Sequence, residues 1–172
     1  MKKKLSVAVE ERPRLFRITL AGQAVEVQGG RVTREAELQR RVESSMEVML
    51  EVRLLASEHP TGDWIRGRID SLGLDQDHCP VVVEYKRGMD AGILSQGASY
   101  LEWVHSAPHE LKALTKEKLG SEVAESINYR KPRLICIAAD FSHRDWVTAR
   151  RLPWRIDLLR YRVFNDGSLI LF

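Results

Sequence analysis

Two carboxylates and a lysine lie close together in the stretch GRIDSLGLDQDHCPVVVEYKR, at Asp70, Glu84 and Lys86. Carboxylate oxygens are the ligands that Mg²⁺ prefers in proteins, and the ion keeps several of its waters when it binds. A lysine beside such an ion can orient or deprotonate an attacking water, or counter the charge that grows on a phosphate in the transition state. The three side chains therefore suit metal-assisted hydrolysis, provided that the chain brings them together.

The local pattern predicts two strands that would do so, one over about residues 64–74 and one over residues 80–86, joined by a turn-forming run. Side chains alternate along a strand, so Glu84 and Lys86 point to the same side, and an antiparallel partner can place Asp70 opposite them. The pattern alone leaves a second interpretation open, in which the three charges form an ordinary surface salt bridge.

A helical apolar period follows the second strand, over about residues 91–106. It places Gln96 and Tyr100 one turn apart, in the spacing Q-x-x-x-Y. Such a pair occurs on many helices as an ordinary solvated or half-buried pair. Its position after G-x-x-D and E-x-K favours a shared site.

Through these three motifs, Gly67 to Asp70, Glu84 to Lys86 and Gln96 to Tyr100, the chain resembles the PD-(D/E)XK nuclease superfamily. Within that superfamily it is similar to the RecB-like and archaeal NucS-like branches. The resemblance covers about residues 33–105 and departs from the family name at Ile69, where the proline would stand. It implies a metal-dependent nuclease with Mg²⁺ or Mn²⁺ as its cofactor. The expected substrate is DNA rather than RNA, and the expected activity is that of an endonuclease, which cuts within a strand rather than from its end.

The resemblance also implies the roles of individual residues. Asp70 and Glu84 hold the ion, Lys86 assists the attacking water, and the glutamine and tyrosine of the helix line the site. The backbone carbonyl of Tyr85 is expected as a third metal ligand. The candidate catalytic set is Glu35, Asp70, Glu84, Lys86, Gln96 and Tyr100.

Glu35 enters this set because the family places an acidic residue on the helix before the hairpin. The corresponding helix is predicted over about residues 34–50, with Thr33 as its cap. Glu35 lies on the face that continues toward the core, whereas Glu37 falls away from it and is the second candidate. Glu43 is expected to be a solvated helix charge.

The coarse pattern predicts an α/β fold with a restriction-endonuclease-like core, in the order α-β-β-β-α-β. In such a core helices flank a central mixed sheet, and the site lies at one edge. Extra β-hairpins are expected at both ends, over residues 14–28 and around residues 165–167. Residues 1–30 are interpreted as an N-terminal β-hairpin appendage, and residues 31–172 as the nuclease-like domain.

The charge balance is modest. The 172 residues carry a formal net charge of +3, so a phosphate-binding surface must come from local clusters. One candidate cluster is Arg12, Arg14 and Arg17, and the other is Arg144, Arg150, Arg151, Arg155, Arg160 and Arg162, with Trp146, Trp154 and Tyr161 interleaved. Arginines with aromatics can contact a nucleic-acid backbone and stack on bases. The alternative is a solvated face on which Asp145 and Asp157 pair with the arginines.

Two cysteines, Cys79 and Cys136, stand far apart in or beside apolar strands and are expected to be free, buried thiols. No apolar run approaches the roughly 20 residues that a membrane span needs. The expected location is the cytoplasm, without a membrane partner. The lysine-rich start, residues 1–4, is interpreted as a frayed terminus or as a small electrostatic arm for DNA.

The sequence leaves three functions open. The first is a DNA nuclease, the second a non-catalytic module that binds nucleic acid or protein on the same fold, and the third an enzyme acting on a smaller nucleotide phosphodiester. The complete motif set argues against the binding module, because binding alone does not require the E-x-K geometry. The chain has little room for a dedicated sequence reader, which favours a homodimer, structure-selective cleavage or a partner.

Overall fold

A computed structural model describes residues 13–172. The strands are β1 (Leu15–Ile18), β2 (Ala24–Val27), β3 (Val52–Pro60), β4 (Arg68–Asp75), β5 (Pro80–Lys86), β6 (Arg133–Ala138), β7 (Arg155–Val163) and β8 (Leu169–Leu171). The helices are α1 (Glu35–Glu43), α2 (Met46–Leu50), α3 (Gly62–Ile65), α4 (Ile93–Ser106), α5 (Pro108–Leu119), α6 (Ser121–Glu125) and α7 (His143–Arg151). The predicted α/β fold is confirmed.

A six-stranded mixed sheet in the order β3-β4-β5-β6-β7-β8 forms the centre of the fold. β3, β4 and β5 are antiparallel neighbours, whereas β5, β6 and β7 run parallel. β5 and β6 are buried on both faces, which explains the apolar run from Val81 to Val83. Because β4 and β5 are antiparallel, the end of β5, where Glu84 and Lys86 lie, is next to the start of β4.

The main core lies between the sheet and the helices α4 and α5. Leu72, Val82 and Leu134 of the sheet pack there against Leu101 and Leu111 of these helices. Each of these five side chains is fully buried. Burial of this apolar surface fixes α4, and with it the predicted Gln96 and Tyr100 pair, against the sheet.

Several predicted boundaries are wrong in instructive ways. The single helix predicted over residues 34–50 is two helices, α1 and α2, which are separated at Ser44 and Ser45. Thr33 does not cap α1, because Arg34 occupies the N-cap position and Thr33 instead donates to Glu37 Oε2. The first residues of the predicted strand over 64–74 belong to the one-turn helix α3.

The other element predictions hold closely. β5 has the predicted bounds, and α4 begins within two residues of its predicted start. α7 begins at a capping box in which Ser142 and Asp145 bond each other's backbone N–H groups. Cys79 and Cys136 are free and buried, as predicted.

The chain divides into two compact units. The larger comprises residues 32–161 and 171–172 and contains the core described above. The smaller comprises residues 1–31 and 162–170, of which residues 1–12 lie outside the described part. In the smaller unit β1 and β2 form the predicted N-terminal hairpin, and a turn with Gly167 at φ +90° forms the predicted final one. The division of the chain at residue 30 stays a prediction.

Candidate active site

The paired strands β4 and β5 separate at the end that carries the predicted site. Their backbone register ends at the pair Ser71 and Val83. Beyond it, the Tyr85 N–H donates to Asp70 Oδ2 at 3.0 Å, and the Asp70 N–H donates to Glu84 Oε1 at 3.3 Å. Each carboxylate thus takes the place of a ladder acceptor on the opposite strand. The two predicted metal ligands, Asp70 and Glu84, therefore lie together where β4 begins and β5 ends.

Burial makes this pair electrostatically unusual. Glu84 is completely buried, and burial, together with the nearby Asp70 carboxylate, raises the pKa of Glu84 to about 8. Burial also raises the pKa of Asp70, although the Tyr85 N–H and the Lys86 ammonium oppose that shift. Within the described residues, the second oxygen of Glu84, Oε2, is buried without a hydrogen-bond partner. The described residues therefore compensate the negative charge of the Asp70 and Glu84 carboxylates only in part.

Lys86 and Glu35 meet at the end of β5. Lys86 Nζ lies 3.9 Å from Glu35 Oε2, and the Arg87 backbone N–H donates to Glu35 Oε1 at 3.1 Å. α1 therefore brings Glu35, the first of the two candidate acids, to the strand that carries Glu84 and Lys86. The second candidate, Glu37, accepts hydrogen bonds from Thr33 and Arg41 instead.

Gln96 and Tyr100 lie one helical turn apart, as predicted, and the hydrogen bond between them continues to the backbone of β4. Gln96 Nε2 donates to the Tyr100 hydroxyl at 3.1 Å, and that hydroxyl also accepts the Arg68 N–H at 3.1 Å. Tyr100 is almost completely buried. A β-carbon on Gly67 would lie 2.5 Å from Tyr100 Cε1, so the glycine of G-x-x-D is needed for this close approach. The geometry favours a role for Tyr100 in positioning the start of β4.

The opposite face of the sheet supplies supporting residues that the sequence interpretation missed. Gln39 Nε2 donates to the Asp70 carbonyl at 2.7 Å and to Glu43 Oε1 at 3.0 Å. Ser71 Oγ donates to Glu43 Oε1 at 2.6 Å and lies 3.2 Å from the Tyr85 hydroxyl. The prediction that Glu43 is a solvated charge is therefore wrong. The spacing of Glu35, Gln39 and Glu43, four residues apart on one helix face, was the available signal.

A further acid, Glu58, lies beside the site and was also missed. The register of β3 with β4 pairs Ser57 with Ser71 and His59 with Ile69, which places Glu58 opposite Asp70. Glu58 has a positive φ of 53° and forms an ion pair with Arg68. Its charge contributes to the raised pKa of Asp70. The place of Glu58 opposite Asp70 depends on a pairing of β3 with β4 that the sequence does not specify.

A divalent cation fits the chemistry of this donor set. Across residues 13–172, no group of three or more His, Cys, Asp or Glu side chains could hold a metal ion. The predicted set requires only two, Asp70 and Glu84, together with a backbone carbonyl. Two adjacent carboxylates with raised pKa values, and one buried oxygen without a hydrogen donor, are the features that a bound cation would satisfy.

The first predicted basic cluster is largely neutralised where it is described. Arg14 pairs with Glu26 at 2.8 Å, and Arg17 pairs with Asp166 at 2.7 Å. Arg12 and the lysine-rich residues 1–4 lie outside the described residues. Among the described residues, no helix is both long and apolar enough to span a membrane.

The chain shares its fold with a solved endonuclease, in agreement with the predicted α/β core. It is similar to the crystal structure of a repair endonuclease from Pyrococcus abyssi, with a TM-score of 0.51 and 22% sequence identity, over 76% of this chain and 49% of that one. This chain therefore spans about half the length of that endonuclease. At this level of identity, the likeness shows a shared fold.

Two further solved structures are similar to this chain. A structure of an EndoMS–dsDNA2 complex has a TM-score of 0.49 and 18% identity, over 87% of this chain and 66% of that one. A structure of EndoMS in apo form has a TM-score of 0.47 and 19% identity, over 86% of this chain and 65% of that one. No protein-family model and no curated protein matches the chain.

Proposed function

We propose that this chain is a divalent-metal-dependent nuclease that hydrolyses phosphodiester bonds in DNA by means of a metal-activated water. One observation carries the proposal: Asp70 and Glu84 form a buried carboxylate pair whose pKa values are raised and whose Glu84 Oε2 has no hydrogen donor among the described residues. Keeping both carboxylates of such a pair ionised destabilises the fold unless a cation compensates their charge. This arrangement favours metal-dependent catalysis over a purely structural salt bridge.

Asp70, Glu84 and the Tyr85 carbonyl are the proposed ligands of Mg²⁺ or Mn²⁺. The Tyr85 N–H points at Asp70, and in a strand the N–H and C=O of one residue point the same way, so this carbonyl also faces Asp70. When bound, the ion would polarise the phosphate and lower the pKa of a coordinated water. The remaining chemistry falls to the protein side chains.

Lys86 is the proposed partner of the attacking water. Its ammonium lies close enough to lower the pKa values of Asp70 and Glu84, and Glu35 lies 3.9 Å from its Nζ. Lys86 can therefore orient the water or stabilise the charge that develops on the phosphate. Glu35 and Gln96 are proposed to complete the site, and Tyr100 to hold β4 in position.

DNA is the proposed substrate because the motifs resemble those of DNA nucleases and because the fold is shared with a repair endonuclease. A non-catalytic binding module remains the second candidate, since this chain spans about half of the length of that endonuclease. Internal cleavage, a homodimeric assembly and a cytoplasmic location belong to the same proposal.

One experiment tests the function. The purified chain is incubated with supercoiled plasmid, linear duplex, single-stranded DNA, branched DNA and RNA, each in Mg²⁺, Mn²⁺ or EDTA. We expect metal-dependent cutting of DNA that Asp70→Ala and Lys86→Ala both abolish. Nicking of the closed plasmid would support internal cleavage.

The matched control is Glu122→Ala, at an exposed acid of α6, which should cut as well as the unmodified chain. Absence of cutting on every substrate, or equal cutting by the Asp70→Ala and Lys86→Ala variants, would overturn the nuclease proposal. DNA binding without cleavage, unaffected by EDTA, would favour the binding module.

A further inference from the structure

A second surface lies at the opposite end of the strands from Glu84 and Lys86. The register Val81–Arg133–Arg155 shows that β5, β6 and β7 begin together at this end of the sheet. Two adjoining depressions, of about 350 and 420 Å³, lie beside it and share Trp154 and Arg155. We call this the α7 surface, and its six defining residues are Arg130, Lys131, Trp146, Arg150, Trp154 and Arg155.

The four cations of the α7 surface are exposed, and the acids expected to neutralise them are committed elsewhere. Asp145 is buried and accepts the backbone N–H and the hydroxyl of Ser142 at 2.7 Å each. Asp157 accepts a hydrogen bond from Arg133 at 2.5 Å. Asp145 and Asp157 are therefore not the partners of Arg150 and Arg155.

Two other acids line the first depression, and they leave the surface positive. Asp75 is buried, and its Oδ1 accepts the backbone N–H groups of Asp77 and Cys79 at 3.0 and 2.9 Å. Its Oδ2 lies 4.0 Å from Arg155 Nη1, and Asp77 is exposed at the rim. Four cations therefore face one exposed and one buried carboxylate.

Two tryptophans lie among these cations. Trp146 of α7 is 36% exposed, and Trp154 is half-buried between the two depressions. Aromatic side chains interleaved with cations are typical of surfaces that bind single-stranded nucleic acid, because unpaired bases can stack on the rings while the cations contact phosphates. In a duplex the bases cover one another, so the same rings would contribute little.

The path of α7 connects this surface to the site. β6 ends at Ala138, in register with Lys86. α7 then runs from His143 back toward the start of the parallel strands, where the chain continues into Arg155. A helix of nine residues spans about 14 Å, so a nucleic-acid strand lying along α7 would lead from the α7 surface toward the strand ends that carry the carboxylate pair.

We propose that the α7 surface binds single-stranded DNA. It would contact the substrate strand at a distance from the bond that is cleaved. The proposal rests on the proposed function, since it names a second contact of the same substrate. It concerns binding rather than chemistry, so the two can fail separately.

The test measures binding of 5′-labelled oligo-dT to the full chain carrying Asp70→Asn, in EDTA, as salt is varied. The combined change Lys131→Gln and Arg155→Gln should weaken binding about tenfold. It should also make the slope of log K against log salt less negative by about 1.4, because each lost phosphate contact on a single strand contributes about 0.7. The matched control, Lys116→Gln with Lys118→Gln on α5, should change neither quantity.

Trp146→Ala should weaken oligo-dT binding about tenfold, and Trp146→Phe should restore most of it because a ring remains for stacking. Circular dichroism checks that each variant stays folded. Equal losses in the α5 control, or unchanged binding in all α7 variants, would overturn the proposal. Tighter binding of duplex than of oligo-dT, with no effect of Trp146→Ala, would also overturn it and assign the surface to duplex backbone.

The result is separable from the nuclease test. A chain that cuts DNA but binds oligo-dT independently of these residues retains the proposed function and loses this inference. A chain that binds through the α7 surface but cuts nothing does the reverse.

Discussion

β4 carries one aspartate near each end, and the two are satisfied in different ways. Asp75, at the turn end of the β4–β5 pair, accepts two backbone N–H groups through a single oxygen, from Asp77 and Cys79. Asp70, at the site end, accepts one such bond, from Tyr85, and lies beside the buried Glu84. The comparison shows that a carboxylate becomes a candidate ligand when a second acid, rather than a second donor, lies beside it.

The largest expected effect is on cleavage, at the site end. Lys86→Ala should lower the single-turnover rate by about 10²- to 10³-fold, because one preorganised cation near the developing charge is lost. Lys86→Arg should restore part of this rate if the role is charge stabilisation, because arginine keeps the charge but does not deprotonate in proteins. Quenched-flow assays on linear DNA provide the measurement.

Lys116→Ala, on the exposed surface of α5, serves as the control for Lys86→Ala and should leave the rate unchanged. A rate for Lys86→Ala within twofold of the unmodified chain would show that the lysine has no catalytic role.

The second effect is on stability and its pH dependence. Burial raises the pKa of Glu84 to about 8 in the folded protein, against an ordinary 4.5. Below pH 4.5 Glu84 is protonated in both the folded and the unfolded state, so its charge does not affect stability. As the pH rises from 4.5 to 8, the unfolded state releases the proton first, and the fold is increasingly destabilised. Glu84→Gln should therefore be more stable than the unmodified chain at pH 9 in EDTA, by about 2–4 kcal/mol, with a smaller difference at pH 5. Urea unfolding at both pH values measures it.

Mg²⁺ should raise the melting temperature of the unmodified chain but not that of Glu84→Gln, because a ligand that binds only the folded state stabilises it. A stability difference that does not change between pH 5 and pH 9 would contradict the assignment of a buried, uncompensated charge to Glu84.

The third effect concerns the packing that places Asp70. Gly67→Ala puts a β-carbon 2.5 Å from the Tyr100 ring, and we expect a loss of about 1–3 kcal/mol in the free energy of unfolding. Cleavage should fall as well, because Tyr100 also holds the backbone of β4. Gly88→Ala is the matched control, since a β-carbon there meets nothing within 4 Å. Equal stability of the two variants would refute a positioning role for this contact.

The smallest effect lies at the turn end. Asp75→Ala removes the acceptor of two backbone N–H groups and should cost about 1–2 kcal/mol of stability. Asp75→Asn retains an acceptor oxygen and should cost less than half of that. Neither change should alter the stabilisation by Mg²⁺, as measured by thermal melting. If Asp75→Ala abolished the Mg²⁺ effect, the distinction between the two ends of β4 would fail.

Local patterns predicted the fold where one physical requirement dominated a segment. The bounds of β5 followed from a run of β-branched residues between a proline and two charges. α3 was missed because its turn depends on positive φ at Gly62 and Arg66 and on hydrogen bonds that join Thr61 to Gly67. Those bonds join residues six apart in an irregular segment, where neither strand nor helix periodicity applies.

The break between α1 and α2 was missed for a related reason. The apolar period continues across Ser44 and Ser45, so the pattern favoured one helix. The Ser44 hydroxyl instead donates to the Arg41 carbonyl, and Ser45 leaves the helical region. Serine side chains compete with the helical backbone in this way, but whether they do so depends on the packing on either side.

The sequence by itself determined which side chains share a face and in what order the motifs occur, because strand alternation and helical spacing are local. It therefore brought Glu84 and Lys86 to one side and Gln96 within one turn of Tyr100. Only the tertiary structure decided that Asp70 and Glu84 bond across separated strands, that Gln39 holds the Asp70 carbonyl, and that Glu58 lies opposite Asp70. These features depend on burial and strand pairing between distant segments, and so do the pKa values that make the carboxylate pair a candidate metal site.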